Sequence, residues 1–194
     1  VEEMKISDSL LTVNPYSRPG KKLASVKSII MHWTGVPMQQ AKTVRDFFES
    51  RKSGKLGYGS AHYIIDFTGE IIRCIPDSEV AYHCGSDKID PVSKLIYTDW
   101  ARDKFGSFAS EKSSPNNCTI GIELCTIDAE GNFREATIEA AVEMCYSLCK
   151  THGVKPQDIG THNLVVGWKD CPRLWVNKPT HFSEFVSKVD RSMS

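Results

Sequence analysis

Apolar residues along this chain recur with two periods, and the alternation between them sketches the fold. Residues 28–33 (Ser-Ile-Ile-Met-His-Trp) form a short apolar run closed by Thr-Gly, the pattern of a strand buried on both faces. Val44, Phe47, Phe48 and Arg51 then follow at helical spacing, predicting a packed amphipathic helix over 41–51. Residues 61–67 and 70–76 alternate around Thr68-Gly69, a hairpin signal. In the first of these strands His62, Ile64 and Asp66 share one face, and Tyr63, Ile65 and Phe67 the other. Residues 80–85 read as a further extended piece carrying His83. Residues 118–127 read as another strand, with Ile120, Ile122 and Leu124 opposite Gly121, Glu123 and Cys125.

The later part of the chain is more helical. A helix over about 137–152 turns Ile138, Ala141, Val142, Cys145, Leu148 and Cys149 inward and stops at Gly153. Residues 158–161 make a last short strand that delivers His162, and a final helix ends near Ser192 with Phe182, Phe185, Val186 and Val189 buried. The order β-α-β-β-β-α-β-α predicts an α/β fold: a single domain with a central mixed β-sheet flanked by α-helices. Residues 1–27 read as an irregular N-terminal leader packed on a domain of residues 28–194. Residues 86–117 are the least regular stretch, with a short helix near 98–105. A connection of that length is either a wall over a site or surface decoration.

Composition narrows the function classes. The 194 residues suffice for one sizeable core. Lys and Arg balance Asp and Glu at 24 each, so no electrostatic footprint for nucleic acid or an anionic membrane is present. No apolar run approaches the ~20 residues that span a bilayer. The opening Val-Glu-Glu-Met-Lys carries neither an initiator Met nor the apolar segment of a signal peptide, which suits a processed product or an excised domain. Seven Cys without a Cys-x-x-Cys pair argue against a zinc finger or a thioredoxin-like site. Cys74, Cys118, Cys125, Cys145 and Cys149 fall on core-facing positions of the expected elements.

Candidate chemistry gathers in residues 160–173, where His162 and Cys171 stand nine positions apart with Lys169 two before the Cys. His and Cys are soft zinc ligands, and a third donor would complete a three-ligand site with an open position, as in catalytic zinc centres. His32 is the best third donor, because it ends an expected central strand, where open α/β sheets place their sites. Taken alone, without His162, it reads rather as a satisfied core histidine. Glu123 is either a surface carboxylate on an edge strand or an expensive buried one. Cys84 is a conceivable fourth ligand that would turn the site into a closed, structural one.

Five segments together resemble the zinc-dependent N-acetylmuramoyl-L-alanine amidases of the type-2 amidase and peptidoglycan-recognition superfamily, in its bacterial and phage lysin-like branch. They are Ile30-Met31-His32-Trp33-Thr34-Gly35, Ser60-Ala61-His62-Tyr63-Ile64-Ile65, Tyr82-His83-Cys84-Gly85, Asn117 through Leu124, and Thr161-His162 through Lys169-Asp170-Cys171-Pro172. The resemblance covers about residues 26–175. It implies that His32, His162 and Cys171 bind zinc, that Glu123 is the catalytic carboxylate and that Lys169 stabilises an oxyanion. Some members place a Tyr in the hairpin strand where this chain has Ala61, consistent with Glu123 taking that role. The resemblance also puts His62, His83, Trp33, Thr34, Asn117 and Trp168 near the substrate. Tyr-His-Cys-Gly departs from the commoner Trp-His-Ala-Gly of the family. The implied substrate is peptidoglycan or its soluble muropeptides, cut between N-acetylmuramic acid and L-alanine, by a monomer acting at the bacterial cell wall. A recognition module that binds muropeptide without cutting it, and a cytosolic recycling amidase, are the alternative readings. No wall-binding module is seen in this sequence, so targeting is expected to lie outside it.

Overall fold

The computed structural model describes residues 4–194, so the first three residues of the expected leader lie outside the described residues. Six strands, β1 (Ile6–Asp8), β2 (Ser28–Trp33), β3 (Tyr63–Ile65), β4 (Ile71–Arg73), β5 (Thr119–Leu124) and β6 (Gly160–Thr161), form one sheet in the order β1-β4-β3-β5-β2-β6. Only the β3–β4 hairpin is antiparallel; every other neighbouring pair is parallel. The sheet is therefore mixed, as the sequence pattern predicts. β1 is an addition: the leader that reads as irregular contributes an edge strand paired with β4.

β2 and β5 occupy the centre because their sequences are apolar on both faces, as interior parallel strands require. On one face Ile29, Met31, Tyr63, Ile65, Ile120, Ile122 and Leu124 pack beneath α3 (Glu135–His152) and α6 (Pro179–Ser192). On the other face the apolar residues split into two groups. One lies under α1 (Ala41–Ser50) with Ile64 and Ile72; the other lies under α2 (Asp99–Phe105) with Ile30, Val165 and Val166. His32 and Glu123 belong to neither group.

Several expected bounds shift. The hairpin strands are three residues each, and residues 80–85 are a loop rather than a strand. Cys118 ends a 3-10 turn, Pro115–Cys118, instead of opening β5. Two short helices, α4 (His162–Val166) and α5 (Arg173–Asn177), appear where the sequence reads as loop. Phe47, expected in the core, is 47% exposed. All seven cysteines are buried and free. No helix among the described residues is long and apolar enough to cross a membrane.

One buried carboxylate ties three elements together. Helix α1 has Gln40 at its N-cap, without a side-chain cap. Asp66 Oδ2 substitutes from the hairpin, accepting from the Ala41 amide at 3.0 Å. Its Oδ1 accepts from the Thr68 amide at 2.8 Å and the Thr68 hydroxyl at 2.6 Å, closing the turn. Its backbone carbonyl accepts from Thr137 Oγ1 at 2.8 Å, in the first turn of α3. Asp66→Ala removes the cap and strands several buried donors, so it is expected to lower unfolding free energy by about 2–4 kcal/mol. Asp66→Asn should lose less, and urea denaturation of the three proteins measures the difference.

Candidate metal centre and cleft

The site begins with strand register. β2 and β5 pair so that His32 stands directly opposite Glu123, and both point to the face shared by α1 and α2. Because that face is divided between two apolar groups, a gap opens over this pair. The gap is a cleft of about 810 Å³, lined near the centre by His32, His83, Glu123, His162, Lys169 and Cys171.

The edge strand supplies the remaining donors. β6 pairs with β2 and ends at Thr161, whose hydroxyl caps α4 by accepting from the Leu164 amide. His162 is therefore the first residue of a short helix beside His32. Gly167, at φ +78°, ends that helix and lets the chain reverse. Asn163 fastens the returning loop: its Nδ2 donates to the Gly167 and Lys169 carbonyls, and its amide donates to the Cys171 carbonyl at 3.0 Å. Trp33 secures the loop from β2, its indole donating to the Asp170 carbonyl at 3.0 Å and its amide to Cys171 Sγ at 3.4 Å.

These constraints bring one nitrogen each from His32 and His162 and the sulfur of Cys171 within 4.8 Å of one another. His32 Nδ1 lies 3.1 Å from His162 Nδ1 and 3.8 Å from Cys171 Sγ. Burial lowers both histidines, His162 to about 4 with Lys169 adding to the effect, so both imidazoles are neutral donors at neutral pH. Burial raises the Cys171 thiol, which makes a free thiolate unfavourable there; a bound cation would reverse that preference. Two imidazole nitrogens and one sulfur suit a soft or borderline ion such as zinc. The three residues, all lining the cleft, could together hold such an ion. Cys84 does not join them: its Sγ donates to Asn116 Oδ1 at 3.4 Å.

Glu123 sits on the same floor. Its Oε2 is buried without a hydrogen-bond partner, and burial pushes its pKa up to about 8, against a smaller opposing pull from Lys169. The Lys169 side chain is exposed at the cleft wall, its Nζ 5.5 Å from the centre of the Trp168 ring.

The six expected substrate residues divide. Trp33, Thr34, Trp168 and His83 line the cleft, and Trp168 is 47% exposed at its rim. His62 does not belong with them. It is fully buried, with Nδ1 accepting from the Gly121 amide at 3.0 Å and Nε2 donating to the Glu79 carbonyl at 2.7 Å. Asn117 is also misplaced: it bonds Ser113, while Asn116 lines the cleft and accepts from the His83 and Cys84 amides. α1 and the stretch after it supply wall residues that sequence reasoning missed, among them Phe47, Arg51 and Tyr58. The irregular segment 86–117 contributes Ser86, Asp87 and Asn116, so part of it is wall.

Comparison with known proteins agrees with this arrangement. Residues 22–174 match the Amidase_2 family, described as N-acetylmuramoyl-L-alanine amidase. A Bacillus licheniformis protein named as an N-acetylmuramoyl-L-alanine amidase is 36% identical over 187 residues, covering 96% of this chain and 48% of that protein. The amidase BlyA of Bacillus subtilis is 31% identical over 188 residues, 97% of this chain and 47% of the relative. The chain thus spans about half the length of the curated relatives it matches. A mutant endolysin from Bacillus subtilis shares the fold with a TM-score of 0.69 and 21% identity, over 96% of this chain and 99% of the other. With the match running unbroken from the approach to β2 to the residues just past Cys171, and so through every donor of the cleft, the chain belongs to the N-acetylmuramoyl-L-alanine amidase family.

Proposed function

We propose that this domain is a zinc-dependent peptidoglycan hydrolase that cleaves the amide between the lactyl group of N-acetylmuramic acid and L-alanine of the stem peptide. The observation that carries the proposal is the convergence of His32, His162 and Cys171 beside the unpartnered Glu123 carboxyl, on the floor of an open cleft. The family match and the names of the curated relatives supply the bond class.

His32, His162 and Cys171 would hold the zinc. When bound, it supplies Lewis acidity and brings the pKa of water toward ~7. Glu123 takes a proton from the attacking water and returns it to the departing amine of L-alanine. Its raised pKa suits both halves of that exchange, since the carboxyl neither holds nor refuses a proton strongly near neutrality. Lys169 brings an ammonium to the side of the cleft where the carbonyl oxygen gains negative charge. Trp168, Trp33 and Thr34 offer the surfaces against which sugar and peptide lie. Peptidoglycan is the substrate and the cell wall the place of action; the domain works as a monomer.

A module that only recognises muropeptide is the competing reading, and Glu123 counts against it. A buried carboxylate oxygen without a partner destabilises a fold, and binding alone has no use for it.

Purified protein is expected to carry about one zinc per chain and to free N-terminal alanine from peptidoglycan. Glu123→Gln should retain the metal while hydrolysis falls by ~10² or more, and Cys171→Ser should lose the metal together with activity. Lys169→Met should lose ~10²–10³ in rate with zinc content unchanged. A wild-type protein that binds zinc and muropeptide yet releases no alanine overturns the amidase reading. Stability gives an independent check on Glu123. Its pKa is higher in the fold than the ordinary 4.5, so the metal-free protein is most stable with this carboxyl protonated and loses that stability as pH rises through about 8. Glu123→Gln should therefore melt a few degrees higher than wild type at about pH 9, with the gap closing toward about pH 5.

A further inference from the structure

One buried chain of hydrogen bonds runs away from the metal donors, and catalysis as described above makes no use of it. His32 Nε2 lies 2.9 Å from His83 Nδ1. His83 Nε2 lies 3.0 Å from Thr119 Oγ1, and Thr119 Oγ1 donates to the Pro115 carbonyl at 2.8 Å. All of these residues are buried. The His83 ring is packed so closely on β5 that a Cβ at Gly121 would lie 2.6 Å from its Cγ. Asn116 Oδ1 holds the His83 backbone amide at 3.1 Å, so the ring cannot drift along the strand.

Such a chain has two possible proton registers, and its far end selects between them. A carbonyl oxygen can only accept, so Thr119 spends its single hydroxyl hydrogen on Pro115. Its oxygen then has lone pairs alone to offer His83. His83 must carry its proton on Nε2, which leaves Nδ1 as a bare acceptor. His32 must then carry its proton on Nε2, and its lone pair lies on Nδ1, the atom that faces His162 and Cys171. In the opposite register Thr119 would donate to His83, the Pro115 carbonyl would exchange a hydroxyl donor at 2.8 Å for the weak Cys118 thiol at 3.6 Å alone, and His32 would aim an N–H at the metal position.

We infer that His83 and Thr119 are positioning residues that fix the tautomer of His32, so that the site offers the metal a preformed nitrogen lone pair. This inference rests on the reading that His32, His162 and Cys171 hold zinc. The arrangement also gives His83 a role different from touching substrate. Outer partners of this kind commonly govern metal affinity and ring orientation.

The test needs no substrate. Long-range ¹⁵N NMR of the metal-free protein at about pH 8 reads which nitrogen of each histidine carries the proton, and Zn²⁺ affinity is measured against a competing chelator. Wild type should show both His32 and His83 protonated at Nε2. Thr119→Val should mix or reverse the His83 tautomer and weaken Zn²⁺ by about 10–100-fold, and Thr119→Ser should restore both. A wild-type His83 protonated at Nδ1 overturns the inference even if the valine variant fails to fold. Unchanged tautomers and Zn²⁺ affinity in a folded Thr119→Val do so as well. The outcomes separate from those of the amidase reading: correct tautomers in a protein that leaves peptidoglycan uncut sink only the hydrolase assignment. Hydrolysis by a protein with His83 protonated at Nδ1 sinks only the relay.

Discussion

The parallel pairing of β2 with β5 is the constraint on which the rest depends. Both strands are buried on both faces, so a slip of one residue would exchange every side chain between them. Met31 and Ile122 fix the register from the face under α3 and α6, and that choice sets His32 opposite Glu123 on the other face. A hydrophobic decision on one side of the sheet thus becomes the geometry of the proposed site on the other. The polar pair is tolerated at the centre because the apolar residues of its face are divided into two groups, one beneath α1 and one beneath α2. The cleft is the seam between them.

Much of this was legible in the chain. Continuous apolar runs identify β2 and β5, and the spacing of Val44, Phe47, Phe48 and Arg51 identifies α1, because buried strands and helix stripes leave strong local patterns. His32, His162 and Cys171 are identifiable as donors from residue type and from the resemblance of their segments. What local pattern cannot supply is the pairing of strands remote in sequence, and hence the opposition of His32 and Glu123. β1 was hidden because a three-residue edge strand carries too little periodicity to stand out. α4 was hidden because five residues scarcely complete a turn and a half.

The misplaced side chains have separate causes. Asn117 was placed near the substrate by the resemblance of its segment, and Asn116 is its immediate neighbour in the approach to β5. The chain there makes a 3-10 turn, with three residues per turn, so the face that meets the cleft moves to Asn116. His62 was expected near the substrate from the resemblance of its segment, and it does lie on the cleft's side of the sheet. The Glu79 carbonyl and Gly121 amide close over it, which only the tertiary fold reveals. Phe47 erred in the opposite direction: a helical stripe predicts burial, but α1 borders the seam, and its edge is wall rather than core.

The seven thiols carry a consequence of their own. None is exposed, and none is paired. Burial raises the pKa of each one, removing the thiolate that attacks oxidants and disulfides. For the six away from the metal donors, chemical durability is therefore inherited from the fold: an oxidant must wait for the chain to open, and the lifetime of these sulfurs is set by how seldom it does.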